Sequence, residues 1–288
     1  MPFAAPAGMA GRVEGNPNMA LPVAAPVDRQ GMMQKLKAVL ARFEITIAEA
    51  NELSVLEDYE MVIIADDSGS MQMSSLPPQM RQLGQPGPTR WEELKHTVSE
   101  IVEIATCFDT SGVDVFFLNR QPVMGVNSAT DPRFLMAFAP PPQGTTPLTE
   151  TLQRVAARMA GEKPILLFIL TDGVPNGGPE PFKRALKRLL APGAACKMRV
   201  QVMACTGDDN EIGWLNVLDR ELAELDVTDD YHTEAAEVVR AGLAKRFTRG
   251  DWCMKAMLGP VVSKFDAWDE ALGRSKHSSA ECNLCCVQ

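Results

Sequence analysis

The stretch IIADDSGSM, residues 63–71, determines the fold class that the sequence predicts. Its first three residues end a short apolar run that is typical of a buried β-strand, and polar residues follow directly. The stretch FILTDG, residues 168–173, likewise contains the end of an apolar run that polar residues follow directly. We therefore expect Asp66 and Asp172 at the carboxyl ends of two strands, which is where open α/β sheets bind their ligands.

Five oxygen-bearing side chains lie on these two strand ends and on a third loop, GTTPL, residues 144–148. Three are hydroxyls and two are carboxylates, so on converging loops they form an oxygen-only site. Such a donor set suits Mg²⁺, or else Mn²⁺ or Ca²⁺, better than zinc, which prefers nitrogen and sulfur ligands. The candidate metal ligands are Asp66, Ser68, Ser70, Thr146 and Asp172.

The pattern Asp-x-Ser-x-Ser, followed by a later Thr and a later Asp-Gly, resembles the metal-ion-dependent adhesion site (MIDAS) of von Willebrand factor A (vWA) domains. The resemblance covers residues 58–250 and implies a Rossmann-like α/β fold. In that family the two Ser and the Thr contact the metal, and the two Asp act directly or through water. A carboxylate from another protein completes the metal's shell, so the resemblance implies a protein partner that presents Glu or Asp.

Strand and helix patterns alternate along this region. Such alternation predicts an α/β fold with a doubly wound, mostly parallel sheet flanked by helices. Thr89 and Glu92 form a capping-box pattern that predicts the start of one helix. The predicted strands are 60–65, 113–118, 123–126, 165–170, 198–205 and 226–231, and the predicted helices are 90–107, 131–138, 147–159, 181–190, 210–225 and 233–247.

Four segments flank this domain. Residues 1–29 lack an apolar period and are expected to be disordered, whereas residues 30–57 have helical spacing and predict an N-terminal helix. Residues 251–273 predict a C-terminal amphipathic helix that Pro260 kinks or restarts. Each helix either packs on the domain or binds a partner or surface. Residues 274–288 form a flexible Cys-rich tail.

The last four residues, CCVQ at 285–288, resemble a prenylation box in which Cys285 is the acceptor. Cys286 stands where an aliphatic residue is usual, and Cys282 and Cys286 are candidates for acylation. One lipid binds a membrane only marginally, so a second lipid or the preceding helix is needed as well. Two other interpretations stay open: a tail that is Cys-rich by accident, or half of a zinc site from His277, Cys282 and Cys285.

The charge distribution argues against nucleic acid as a partner. The net charge is −9, and residues 205–237 carry eleven acids against Arg220 alone. That stretch repels nucleic acid and anionic lipid, and aromatic residues, at 6%, are too few for a base-stacking platform. The acidic stretch itself is either a set of solvated helix faces with their loops or a second cation site.

The sequence further predicts a cytoplasmic protein. Its seven cysteines are odd in number and irregularly spaced, which indicates reduced thiols rather than a disulfide framework. No apolar run is long enough to span a membrane, and residues 1–6 lack the charged start of a secretion signal. Lipid attachment to the tail is the expected route to the cytoplasmic face of a membrane, as a peripheral association.

Catalysis is not expected from these residues. Ser68 and Ser70 lie in the sequence DSGS, which lacks the Gly-x-Ser-x-Gly turn of a serine nucleophile. The chain has three histidines, His96, His232 and His277, and none of them lies in such a turn. We therefore expect a binding protein and no enzyme activity.

The expected function is a metal-dependent protein–protein interaction in which a divalent cation binds an acidic side chain of the partner. The alternative is a metal-independent intracellular scaffold or assembly subunit that recruits partners through its helices and its sheet edge. Asp67 adds a second charge to the first loop. It either raises the affinity for metal or points to solvent.

Overall fold

The structure is a computed structural model that describes residues 29–76, 87–159, 161, 163–206, 209–240, 242, 244–263 and 265. Within these residues, six strands form one sheet in the order 3-2-1-4-5-6, and all neighbours are parallel except the second and third strands. The strands are β1 (Glu60–Ala65), β2 (Val113–Phe117), β3 (Val123–Val126), β4 (Ile165–Thr171), β5 (Met198–Ala204) and β6 (Leu225–Thr228).

Helices cover both faces of the sheet. The helices are α1 (Arg29–Arg42), α2 (Ile47–Leu53), α3 (Arg90–Ala105), α4 (Pro132–Phe138), α5 (Leu148–Arg158), α6 (Pro179–Leu189), α7 (Asp209–Ile212), α8 (Leu215–Glu221), α9 (Tyr231–Arg240) and α10 (Arg249–Leu258), with 3-10 turns at Ser54–Asp58 and Gly69–Gln72.

The core lies in two layers, one on each side of the sheet. Side chains of α1–α4, α9 and α10 pack with Ile63 and Phe168 on one face, and those of α5–α8 pack with Ile64 and Ile169 on the other. Successive strand residues point to opposite faces, so a strand that is covered on both sides needs a continuous apolar run. β4 is such a strand, because all seven of its residues are buried.

The predicted α/β architecture, a mostly parallel sheet flanked by helices, is confirmed at this level. β1 and β3 occupy the predicted residues, and β3 is the antiparallel strand at one edge. Thr89 caps α3 through the predicted capping box with Glu92. Pro147, predicted as the first residue of a helix, instead precedes α5 as its N-cap.

Two predicted helices are shorter than their apolar periods indicated. The helix predicted over 210–225 is wrong as a single element, because a turn at Gly213 separates α7 from α8. The helix predicted over 233–247 ends at Arg240. Gly242 follows it with φ of 71°, a left-handed conformation that ends a helix.

The flanking helices also differ from the prediction. The single helix predicted over 30–57 is two helices, because Glu44 adopts φ of 57° and Thr46 caps a new start. At the other end, the predicted boundary between 250 and 251 falls inside α10, which Thr248 and Asp251 cap together. Both segments contribute buried apolar side chains to the same layer of the core, among them Val39, Leu53, Trp252 and Leu258.

Several predictions fall outside the described residues. These are the predicted disorder, as far as it concerns residues 1–28, and the predicted Cys-rich tail with His277, Cys282, Cys285 and Cys286. Within the described part of the chain, no helix is both long and apolar enough to cross a membrane.

Candidate metal site at the carboxyl edge of the sheet

The two candidate carboxylates lie side by side at the carboxyl edge of the central strand pair. β1 and β4 are parallel with Ala65 opposite Leu170, so Asp66 and Asp172 leave the sheet at the same edge. The backbone N–H of Asp66 donates to the Leu170 carbonyl at 2.9 Å. Both aspartates are almost completely buried, at 0% and 1% exposure.

Hydrogen bonds link four of the five candidate ligands into one cluster. The Ser68 N–H donates to Asp66 Oδ1 at 2.9 Å, and the Ser68 and Ser70 hydroxyl oxygens lie 3.0 Å apart. The Ser70 hydroxyl donates to Asp172 Oδ1 at 2.8 Å. Thr171 at the end of β4 donates to Asp66 Oδ2 at 2.7 Å. Because these bonds join loops more than a hundred residues apart, they define a single site.

The fifth candidate, Thr146, lies on a loop that contacts this cluster. The Gly69 N–H donates to the Gly144 carbonyl at 3.1 Å, which attaches the loop to the first strand end. Gly144 has φ of 110°, and a side chain there would meet Asn119 at 2.5 Å, so the turn requires glycine. Asn176 holds Thr146 from the other side, by accepting from its N–H at 3.1 Å and donating to its carbonyl at 2.9 Å.

Asp67 does not point to solvent, so that interpretation is wrong. Its side chain is fully buried, and Oδ1 accepts hydrogen bonds from the Asn119 backbone at 2.8 Å and from the Asn119 amide at 3.2 Å. Oδ2 lies 3.0 Å from Arg120 Nε as an ion pair without hydrogen-bond alignment. Arg120 also donates to the carbonyls of Ala137, Pro140 and Pro141. Asp67 therefore connects the loop that follows β1 to the turn between β2 and β3.

Arg90 is a site residue that the sequence reasoning missed. It is the first residue of α3 and only 6% exposed. Its Nη1 donates to Asp172 Oδ2 at 2.7 Å, and its Nη2 donates to Thr206 Oγ1 at 3.0 Å and lies 2.9 Å from Glu211 Oε2. Since 82 residues separate Arg90 from Asp172, no local spacing or periodicity indicates this contact.

Comparisons with known proteins identify no family. No family model matches the chain, and no curated protein matches it. Among solved structures, it is similar to the D319A mutant of the PilB minor pilin from Streptococcus sanguinis, with a TM-score of 0.46 and 12% identity over 73% of this chain. The chain spans 62% of that pilin chain. A similarity at this level carries no argument about function.

Burial dominates the electrostatics of the carboxylate pair. It raises the pKa of Asp66 from 3.8 to about 6, and the nearby charge of Asp172 raises that pKa further, while hydrogen bonds from Ser68 and Thr171 oppose the shift. Burial, together with the same two aspartates, also raises the pKa of the Cys205 thiol well above its usual value. Cys205 therefore stays protonated and is not a nucleophile at neutral pH.

The described histidines do not activate the two serines. His96 Nε2 lies 3.2 Å from Glu100 Oε1 on the same helix, and His232 is the second residue of α9. Neither of them hydrogen-bonds Ser68 or Ser70 in the described part of the chain. Among the described residues, neither His96 nor His232 therefore forms with Ser68 or Ser70 the pair that nucleophilic catalysis uses, and His277 lies outside these residues.

The donor set of the cluster fits a hard cation. Within the described residues, no three side chains among His, Cys, Asp and Glu come together to hold a metal ion. The candidate cluster has a different composition, with two carboxylates and three hydroxyls. Such ligands suit Mg²⁺. The buried negative charge of Asp66 and Asp172 is a further observation in favour of a cation at this edge.

Proposed function

We propose that this protein is a metal-dependent protein–protein interaction module of the vWA type. The observation that carries the proposal is the hydrogen-bonded cluster of Asp66, Ser68, Ser70 and Asp172 at the carboxyl edge of the central strands. With Thr146 on the adjoining loop, these side chains would hold Mg²⁺. A bound divalent cation would supply a positive charge that attracts a Glu or Asp side chain of the partner.

Burial within the cluster indicates the side from which a partner approaches. Asp66, Ser68 and Asp172 are buried, whereas Ser70 and Thr146 are partly exposed. Two of the three hydroxyl ligands, Ser70 and Thr146, therefore lie nearer the open side than Ser68 and the two carboxylates. This arrangement keeps the two negative charges away from an approaching carboxylate and so reduces their repulsion.

The described, exposed residues on the two loops beside the open side are uncharged. Gln143, Thr145, Val174 and Asn176 are exposed residues on the two loops next to the cluster. All four are uncharged, in a chain whose net charge is −9. The described residues of these two loops therefore do not repel an acidic side chain of a partner.

A titration of the purified protein with Mg²⁺ and Mn²⁺ tests the metal site directly. Asp66→Ala should abolish binding, and Thr146→Ala should weaken it strongly, because each change removes a candidate ligand. Thr145→Ala is the matched control, since Thr145 is the exposed neighbour on the same loop. Unchanged Mg²⁺ affinity in Asp66→Ala, measured by calorimetry, rules out the site.

The partner is tested by affinity capture from lysate in the presence and absence of EDTA. Partners of the parent protein should be lost with EDTA and with Thr146→Ala, and should be retained with Thr145→Ala. Both variants should unfold at the parent's urea concentration, because the sheet rather than the ion supplies the core. Capture that survives both EDTA and Thr146→Ala contradicts a metal-dependent function.

One observation favours the alternative, a metal-independent scaffold. Both oxygens of Asp172 already have partners, since Ser70 donates to one and Arg90 to the other. An internal cation thus compensates one of the two carboxylates without any metal. If capture is insensitive to EDTA while partners still bind, the cluster is structural and the scaffold function replaces the metal-dependent one.

A further inference from the structure

Arg90 is held on several sides beside the candidate metal ligands. Its backbone N–H donates to the Met73 carbonyl at 2.8 Å, which fixes the start of α3 against the loop that carries Ser70. Its guanidinium reaches Asp172 on one side and Glu211 of α7 on the other. Nε, although buried, has no hydrogen-bond partner. Arg90 therefore places a buried positive charge directly beside a candidate metal ligand.

Arg90 divides its charge between two acids in different surroundings. Asp172 is fully buried in its side chain, whereas the Glu211 side chain is 33% exposed. The contact to Asp172 is a hydrogen-bonded ion pair, and the contact to Glu211 is a close charge contact. Because Arg90 remains charged at all relevant pH values, it permanently offsets part of the negative charge that Asp172 would otherwise offer to a cation.

We propose that Arg90 is a positioning residue that sets the balance between metal affinity and affinity for the partner's carboxylate. The inference rests on the proposed metal site. With Arg90 present, Asp172 neutralises less of the charge of the cation, so more of that charge acts on an incoming carboxylate. The protein thereby gives up affinity for the metal in exchange for affinity for an acidic ligand.

Two substitutions should move these affinities in opposite directions. Arg90→Gln frees the charge of Asp172, so Mg²⁺ should bind about tenfold more tightly and a carboxylate about tenfold more weakly. Arg90→Lys keeps the charge but not the two-armed contact of the guanidinium, so both affinities should stay nearer to those of the parent protein than in Arg90→Gln. Glu211→Gln removes the second acid that shares the charge of Arg90, so that this charge acts on Asp172 alone. Mg²⁺ should then bind more weakly and a carboxylate more tightly.

If Arg90 has only a structural role, the affinities of the variants should follow a different pattern. Loss of a structural ion pair disorders the ligands, which lowers the affinities for metal and for carboxylate together. Charge tuning instead raises one affinity as it lowers the other. The sign of the Mg²⁺ change in Arg90→Gln therefore separates the two roles.

The experiment uses the full chain and two simple probes. Calorimetry measures Mg²⁺ affinity in the parent, Arg90→Gln, Arg90→Lys and Glu211→Gln, all at one neutral pH. Sodium acetate is then titrated into each protein at saturating Mg²⁺, and its affinity is read from shifts of backbone amide signals in NMR spectra. Circular dichroism establishes that each variant is folded.

The outcomes are distinguishable. Opposite shifts in Arg90→Gln, with smaller shifts in Arg90→Lys, support the inference. If a folded Arg90→Gln loses both affinities or changes neither, the inference is wrong, although the metal site stands. If the parent protein binds no Mg²⁺, both the proposed function and the inference are wrong. If Arg90→Gln does not fold, Glu211→Gln becomes the decisive variant. The inference is then wrong if Glu211→Gln changes the affinities for Mg²⁺ and for acetate in the same direction, or changes neither.

Discussion

Arg120→Met should destabilise the protein substantially, although Arg120 is not a candidate metal ligand. Asp67 is fully buried and its ion pair with Arg120 Nε measures 3.0 Å, while the Arg120 side chain is 17% exposed. Removing one partner of a buried pair leaves an uncompensated charge, which typically costs about 3–5 kcal/mol. The partial exposure of Arg120 places the expected loss near the lower end, at about 3 kcal/mol.

Two of the three lost carbonyl contacts add little to this value, and the third, to Ala137, is partly buried. Arg120 donates to the carbonyls of Ala137, Pro140 and Pro141, at 2.7, 3.0 and 2.5 Å. The two contacts to the prolines are exposed, so water replaces Arg120 there at small cost. The energetic effect should therefore come mainly from the charge on Asp67.

Urea unfolding followed by circular dichroism measures this loss. Asp67→Asn removes the buried charge that Arg120→Met leaves without a partner. The double variant should therefore lose less stability than the sum of the losses in the two single variants, by at least about 1 kcal/mol. Arg133→Met is the matched control, because Arg133 pairs with Asp131 while it is 62% exposed. That surface pair should contribute little, because water screens the two charges. The reasoning is refuted if Arg120→Met is no more costly than Arg133→Met, or if the double change is additive.

Three further predictions concern packing, capping and pH. Gly250→Ala should lower the free energy of unfolding by about 1–3 kcal/mol, because its new Cβ would lie 2.0 Å from the Phe43 carbonyl oxygen. Gly161→Ala is the control and should be near neutral in the same urea measurement, because its nearest contact is at 3.9 Å. Thr89→Ala should cost about 1 kcal/mol through loss of the cap of α3, and a smaller loss than about 0.5 kcal/mol contradicts this. Burial raises the pKa of Glu60 above 4.5, so the parent should lose stability as pH rises through that raised pKa. Glu60→Gln should reduce this loss when unfolding is compared at about pH 4 and about pH 7, and Asp66, whose pKa is also raised, should account for part of the loss that remains.

The sequence predicts those parts of the fold that depend on local pattern. The strands before Asp66 and Asp172 can be predicted from their apolar runs, because a strand buried on both faces must be apolar throughout. The start of α3 is readable because a capping box is complete within four residues, from Thr89 to Glu92. The position of the candidate site at one sheet edge follows from these local patterns and from the parallel arrangement.

Contacts between distant residues could not be predicted in this way. Arg90 and Asp172 meet only because α3 begins and β4 ends at the same edge of the sheet, and Arg120 reaches Asp67 only because a turn folds back over the first loop. The break between α1 and α2, by contrast, has a local signal that the sequence analysis missed, because Thr46 and Glu49 form a capping box within the apolar spacing that continues through Glu44. Periodicity reports which face of an element is buried but not which residue it meets.

The central pairing of β1 with β4 has a consequence for how the protein folds. Thr171 and Asp66, which join the two strand ends, are 105 residues apart in the chain. Closing a loop of that length has a large entropic cost before any contact compensates it, so this step should be slow. During synthesis on the ribosome, β1 therefore has no β4 beside it until the chain beyond Thr171 has emerged. The candidate site then assembles late, with the same strand pairing that completes the centre of the sheet.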